Sequence, residues 1–155
     1  MTTEIHTATH KDVTRMVVYG SQFWTQTRYF KCGIAYDTES VIEMTEQLID
    51  NGIVLYAEDE NEIVALMLVI ITPCLMNKNY MMAVEWVFYV DPDYRRSGLG
   101  VKLIAAAEHI LQQRHVKFFT MVSLTHVTPD AANQLYETLG FEHSEANYTK
   151  ELAWP

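Results

Sequence analysis

Apolar residues recur at the spacing of an α-helix in four segments of the chain, and short runs rich in apolar and β-branched residues lie between them. The helical segments are residues 10–23, 38–50, 98–114 and 129–139. The strand-like runs are residues 4–8, 53–58, 62–72, 80–90 and 116–124, followed by a short pair at 141–143 and 148–152. At 155 residues, the chain has the length of one domain. The pattern therefore predicts a single α+β domain, residues 1–155, with about four helices around one sheet.

The connections between these runs predict how the strands pair. Asp59-Glu60-Asn61 separates two strand-like runs in the manner of a hairpin, so those two strands should be antiparallel. The predicted helix 98–114 connects the strand at 80–90 to the strand at 116–124, and such a crossover places its two strands parallel. We therefore expect a mixed, mostly antiparallel sheet.

The segment from Asp91 to Gly100 has the features of an anion-binding turn. Asp91-Pro92 ends an apolar run, because proline cannot donate to a sheet, and helical periodicity begins at about Gly98. The backbone N–H groups from Arg96 to Gly100 thus fall in a first helical turn, where they lack helical partners and the helix dipole is positive. Glycine at positions 98 and 100 lets a ligand approach the backbone closely. A phosphate or pyrophosphate fits such a turn, although an ordinary strand-to-helix connection can have the same glycine spacing.

Charge and composition narrow the classes of function. The net charge of −9 disfavours a nucleic acid or an anionic membrane as partner and leaves a cationic amine as a plausible one. The first residues contain no secretory signal, and the longest apolar run, 63–71, is about half the length of a membrane span, so we expect a cytoplasmic protein. Cys32 and Cys74 lie far apart and the six histidines have no metal-ligand spacing, so no metal site is predicted.

Two motifs in the second half of the chain resemble one enzyme family. The string Arg95-Arg96-Ser97-Gly98-Leu99-Gly100 resembles Q/R-x-x-G-x-G/A, the acetyl-CoA signature of the GNAT N-acetyltransferase superfamily. The string Leu135-Tyr136-Glu137-Thr138-Leu139-Gly140-Phe141 is similar to the L-Y-x-x-x-G-F element that follows the last helix in that superfamily. The middle of the chain also resembles small phage-encoded acetyltransferases. The resemblance implies a splayed GNAT-like sheet and an acyltransferase that uses acetyl-CoA as acyl donor.

The resemblance assigns cofactor binding to two segments. The pyrophosphate of acetyl-CoA is expected on the backbone of Arg96, Ser97, Gly98, Leu99, Gly100 and Val101, with Arg95 as the first residue of the motif. The pantetheine arm is expected to pair, as another strand would, with Phe88, Tyr89 and Val90. Many family members have an asparagine seven residues before the motif tyrosine, and this chain has Pro129 there. The affinity for the cofactor could then be lower, or Asn133 or His126 could substitute for the missing asparagine, with Thr128 as the cap of the helix.

Two residues are the candidate catalytic groups. Tyr136 corresponds to the family residue that protonates the departing thiolate, and a phenol, neutral at pH 7, can donate that proton. Glu85 is the candidate general base, because it is the one charged residue between Lys78 and Asp91 and would have a raised pKa in an apolar strand. The alternatives are that Glu85 points to solvent or pairs with a cation. Strand alternation would place Glu85, Val87 and Tyr89 on one face unless a bulge shifts the register.

The acceptor is expected to be a primary amine, which attacks the thioester in a ternary complex. It could be a small amine, a polyamine or an amino group of a protein. Trp24, Tyr29 and Phe30 are the candidate substrate-binding residues, since aromatic rings can form an apolar or cation-binding wall; they could instead be core anchors. A non-catalytic acyl-CoA-binding module, with a regulatory or protein-interaction role, is the alternative function, and a homodimer is left open.

Overall fold

A computed structural model describes residues 3–124 and 129–153 and arranges five strands in one sheet. The strands are β1 (Glu4–Thr7), β2 (Ile53–Asp59), β3 (Glu62–Cys74), β4 (Asn77–Val90) and β5 (Val116–Thr120), and they lie in that order across the sheet. Neighbours from β1 to β4 are antiparallel, and β5 is parallel to β4. The prediction of a mixed, mostly antiparallel sheet is thus confirmed.

Helices cover both faces of this sheet. They are α1 (Val13–Trp24), the one-turn α2 (Arg28–Lys31), α3 (Thr38–Asn51), α4 (Leu99–Gln113) and α5 (Pro129–Thr138). Helices α1 and α3 pack on the face that buries Leu66 and Leu68, and α4 and α5 pack on the face that buries Met67 and Val69. None of the helices in the described ranges is long and apolar enough to cross a membrane. The predicted cap Thr128 and the alternative ligand His126 lie outside the described residues.

A glycine at the junction of α3 and β2 has a steric role. Gly52 follows the last residue of α3, but its φ of −117° is not the left-handed conformation that a helix-ending glycine usually adopts. A Cβ at this position would overlap the backbone carbonyl oxygen of Val69. Glycine is required here because β3 passes too close for a side chain.

The strand pair predicted at 141–143 and 148–152 is wrong. Residues 141–153 have no regular secondary structure, and β5 ends at Thr120 rather than near 124. Phe141 packs against Phe119 and Tyr136, but Tyr148 is 97% exposed and Leu152 is 72% exposed. The second run of the predicted pair therefore buries neither of these side chains, and a strand at the edge of a sheet depends on such burial for much of its stability.

Candidate active site

The sheet opens between β4 and β5, and this opening defines the site. The last residue of β4 that pairs with β5 is Val84, opposite Thr120. Strand β4 continues for six residues to Val90, paired with β3 but not with β5. The backbone of residues 85–90 therefore forms an open strand edge, and the predicted cofactor-binding residues Phe88, Tyr89 and Val90 belong to it.

A bulge in β4 determines which way the side chains of this edge point. Val69 of β3 is opposite Glu85 and Leu68 is opposite Val87, so Trp86 is an extra residue between them. Glu85 therefore shares the α4/α5 face with Val69, while Val87 packs on the α1/α3 face. The expectation from simple alternation, that Glu85 and Val87 share a face, is wrong because the bulge shifts the register by one residue.

Glu85 is buried beside the open edge, with its side chain 4% exposed. One carboxylate oxygen, Oε2, accepts a hydrogen bond of 3.1 Å from the backbone N–H of Val122. Burial raises the pKa of Glu85 from its ordinary 4.5 to about 7, and the Val122 hydrogen bond opposes that shift. Glu85 does not point to solvent, and none of the ion pairs between described residues includes it. Both alternative interpretations of Glu85 are thus contradicted by its surroundings.

Tyr136, on α5, contacts the backbone of the same residue, Val122. Its side chain is buried, and its hydroxyl donates a hydrogen bond of 3.2 Å to the backbone carbonyl of Val122. Burial raises the pKa of Tyr136 well above its ordinary value, and the nearby charge of Glu85 raises it further. The phenol therefore keeps its proton at neutral pH and is available as a donor. The backbone of Val122 connects the two predicted catalytic residues, and no side-chain pattern in the sequence could reveal a role carried by a peptide group.

The turn before α4 presents free backbone donors. Arg96 and Gly98 have φ angles of +72° and +82°, both left-handed, and α4 begins at Leu99. Within the described part of the chain, the backbone N–H groups of Arg96, Gly98, Gly100 and Val101 have no hydrogen-bond acceptor. A Cβ on Gly98 would meet no atom within 4 Å, so open space lies directly above this backbone. The turn thus has the unpaired donors and the room that a pyrophosphate requires.

The two glycines of the motif have different roles. The left-handed φ of Gly98 favours glycine whatever the ligand. A Cβ on Gly100 would lie 3.2 Å from Cζ of Phe88 and 3.8 Å from Cδ2 of Leu135. Gly100 therefore lets α4 pack closely against β4 and α5, whereas the sequence motif was interpreted as ligand access alone.

Arg95 is engaged with the end of β4. Its Nε donates a hydrogen bond of 2.9 Å to the carbonyl oxygen of Val90, and its guanidinium carbon lies 5.7 Å from the centre of the Tyr89 ring. The hydroxyl of Tyr89 in turn accepts a hydrogen bond of 2.9 Å from Nε2 of Gln26. Arg95 thereby fastens the turn to the open strand, a role that its position in the motif does not reveal.

The predicted cofactor residue Asn133 and the predicted substrate residues Trp24, Tyr29 and Phe30 lie in different parts of the structure. Asn133 is exposed on α5, one turn before Tyr136. Trp24 donates from its indole nitrogen to the carbonyl of Ile34 at 3.0 Å and stacks on Tyr29 with ring centres 6.0 Å apart, so it anchors the loop after α1. Tyr29 and Phe30 are each 45% exposed. This loop meets β4 at Tyr89, through Gln26, rather than at Glu85.

The match to known proteins fits this geometry. The sequence model described as an acetyltransferase (GNAT) domain matches residues 50–143, more than half of the chain, and it includes the open edge, the turn and Tyr136. No curated protein matches the chain.

Solved structures share the fold at low sequence identity. One is a predicted acetyltransferase with acetyl-CoA from Clostridium acetobutylicum, 15% identical, covering 97% of this chain and 96% of that one with a TM-score of 0.73. Another is an aminoglycoside acetyltransferase from an uncultured soil metagenomic sample, 17% identical, covering 99% and 100% with a TM-score of 0.75. A third is a ribosomal-protein-alanine N-acetyltransferase from Brucella melitensis biovar Abortus, 14% identical, covering 98% and 100% with a TM-score of 0.74. With an open strand edge, a turn of free amides and a matching domain over more than half its length, this chain belongs to the GNAT acetyltransferase family.

Proposed function

We propose that this acyltransferase is an acetyl-CoA-dependent N-acetyltransferase that acetylates a primary amine by direct attack in a ternary complex. The observation that carries the proposal is the convergence of Glu85 and Tyr136 on the backbone of one residue, Val122, at the open edge of β4: Glu85 accepts from its N–H and Tyr136 donates to its carbonyl oxygen. One group can accept a proton and the other can donate one, and both lie where a strand-like ligand would fit.

The residues of the turn and the open edge suit acetyl-CoA. The free N–H groups of Arg96, Gly98, Gly100 and Val101 would hold the pyrophosphate. The backbone of Phe88 to Val90 would pair with the pantetheine arm, because an unpaired strand edge has donors and acceptors to satisfy. Asn133 is exposed on the same helix as Tyr136 and would supply the amide side chain that Pro129 lacks.

The proposed reaction moves an acetyl group from sulfur to nitrogen, and acetyl-CoA supplies the thioester. The amine nitrogen attacks the thioester carbonyl carbon, so that a C–N bond forms and the C–S bond breaks. Glu85 takes the proton that the amine loses, and Tyr136 gives a proton to the departing thiolate. No covalent enzyme intermediate is required, because the turn and the edge would hold the donor in place for direct attack.

The acceptor is a primary amine in this proposal: a small amine, a polyamine or an amino group of a protein. The solved structures of similar fold include proteins named for aminoglycoside and for ribosomal-protein alanine acetylation, so the fold alone does not select among acceptors. A cytoplasmic location and a homodimer remain predictions, as does the absence of nucleic acid and membrane partners.

A calorimetric titration with acetyl-CoA tests the cofactor. We expect micromolar binding to the wild type and its loss in Gly98→Trp, which fills the open space above the turn. Gly33→Trp is the matched control, because Gly33 also has a left-handed φ, +87°, and no atom within 4 Å of a Cβ. Absence of binding to the wild type would contradict the proposal.

Turnover separates an enzyme from a module that only binds acyl-CoA. We expect Glu85→Gln and Tyr136→Phe each to lower kcat by about 100-fold or more, because each removes one proton transfer. Unchanged acetyl-CoA affinity in both variants would show that the site is still folded. If wild type and variants bind acetyl-CoA but none acetylates any amine, the non-catalytic binding module becomes the better interpretation.

A further inference from the structure

We infer that a cavity beside Trp86 binds the body of the acceptor, and that the acceptor is a small amine with one apolar chain or ring and no second positive charge. This inference rests on the proposed function. It names the class of amine that the sequence leaves open.

The cavity lies on the α1/α3 face of the sheet, between the C-terminal half of α3 and strands β3 and β4. Its volume is about 260 Å³. Met44, Leu48, Ile70 and Trp86 give it apolar walls, and its polar side chains include Gln47 and Asn51. None of the described residues that line it is charged. The indole of Trp86 is 50% exposed, so half of a large aromatic surface is available to a ligand.

The position of the cavity connects it to the reaction centre. Ile70 is paired with Val84, the residue of β4 at which pairing with β5 ends. Trp86 is the bulged residue that directly follows Glu85 and belongs to the open edge. The cavity and the Glu85 carboxylate therefore lie at the same level of β4, on opposite faces of the sheet. An acceptor that fills the cavity would direct its amino group towards the edge where the thioester is proposed to lie.

The chemistry of the walls selects the acceptor. An apolar chain or ring gains free energy from leaving water for Met44, Leu48 and the Trp86 indole. The described lining has no carboxylate with which a second ammonium group could pair, so a second positive charge gains nothing from the cavity and loses part of its hydration there. The volume is slightly below the usual range for ligand pockets, so the cavity has room for no more than a single ring with a short aminoalkyl chain. The cavity thus favours an arylalkylamine or alkylamine over a polyamine.

Binding of two amines to the full chain tests the inference without depending on turnover. Phenethylamine and spermidine are titrated calorimetrically into the protein, with and without saturating CoA. We expect phenethylamine to bind more tightly than spermidine, and Trp86→Ala to weaken phenethylamine binding about tenfold. Trp86→Phe should retain most of the affinity. Tyr80→Ala is the matched control, because Tyr80 is 51% exposed on the same strand but does not line the cavity, and it should leave the affinity unchanged.

In steady-state turnover, Trp86→Ala should raise the KM for phenethylamine by a similar factor and leave kcat nearly unchanged. Tighter binding of spermidine, no binding of phenethylamine, or an affinity that Trp86→Ala does not alter would each overturn the inference. Failure of CoA itself to bind would instead contradict the proposed function, so the two failures are distinguishable.

Discussion

At the scale of a single residue, the raised pKa of Glu85 follows from its immediate surroundings. A carboxyl group with a pKa of about 7 is half ionised at neutral pH, which suits a general base. Tyr136, which contacts the backbone of the same Val122, keeps its proton at that pH. The two groups are thus in the protonation states that the proposed reaction needs. The sequence identified both residues, but the burial of Glu85 and the shared contact with the Val122 backbone depend on how the chain folds.

The pH dependence of turnover should report the ionisation of Glu85. Because the base must be unprotonated, kcat at saturating amine should rise with pH and level off above about pH 7. A pH profile of the wild type between about pH 5 and pH 9 measures this. The step near pH 7 should be absent from the residual activity of Glu85→Gln. A wild-type profile with no step near pH 7 would show that Glu85 is not the base.

The same pKa shift predicts a pH dependence of stability. The folded protein keeps the Glu85 proton up to about pH 7, whereas the unfolded chain loses it near 4.5, so folding binds a proton between these values. The proton held by Glu85 therefore contributes about 3 kcal/mol to the free energy of unfolding below pH 4.5. This contribution is lost as the pH rises through 7. In urea unfolding across this range, the free energy of unfolding of the wild type should decrease with rising pH relative to that of Glu85→Gln. Parallel curves would contradict the buried, raised-pKa carboxyl.

At the scale of elements, glycines fix how helices meet the sheet. Gly100 allows α4 to approach Phe88, and Gly52 allows the end of α3 to approach β3. Neither contact is visible in the sequence, because each partner lies on a strand distant along the chain. The sequence placed the two helix boundaries close to these glycines, at residue 50 and at about Gly98, from the ends of the periodic segments.

Substitution at the junction of α3 and β2 should be costly. Gly52→Ala places a Cβ against the carbonyl oxygen of Val69, backbone that cannot move without disturbing β3, so we expect a loss of about 3 kcal/mol in the free energy of unfolding. Gly100→Ala should cost less, because its Cβ would meet side chains rather than backbone, with the end of Phe88 at 3.2 Å as the closest contact. Chemical denaturation of both variants gives the comparison. Equal losses would mean that the Val69 contact relaxes easily.

At the scale of the whole molecule, acetyl-CoA would act as the strand that the sheet lacks between β4 and β5. A ligand that binds only the folded state stabilises it by about 2.7 kcal/mol at one hundred times its Kd. For a chain of this length, we expect the Tm to rise by roughly 5 to 10 °C. Differential scanning calorimetry with increasing acetyl-CoA measures the shift, and Gly98→Trp should remove it. A ligand-independent Tm in the wild type would be inconsistent with binding at the open edge.

The helices and central strands were predictable because they are long and strongly periodic. The C-terminal strand pair was not, because a short apolar run has the same pattern whether or not a neighbouring strand covers it. In the site, the motif residues were found from the sequence, but Trp86, Gln26 and the Val122 peptide were not. Their roles depend on the bulge and on chain segments that meet only in three dimensions.

The bulge at Trp86 also bears on how this protein can change over generations. One inserted residue directs Glu85 to one face of the sheet and the Trp86 cavity to the other. The proposed catalytic pair and the proposed acceptor cavity therefore belong to separate packing layers. Under that proposal, substitutions in the Trp86 cavity would alter the preferred amine without repacking the layer that holds Glu85 and Tyr136. A lineage carrying this fold would then acquire new acceptors by small steps while the donor chemistry stays constant.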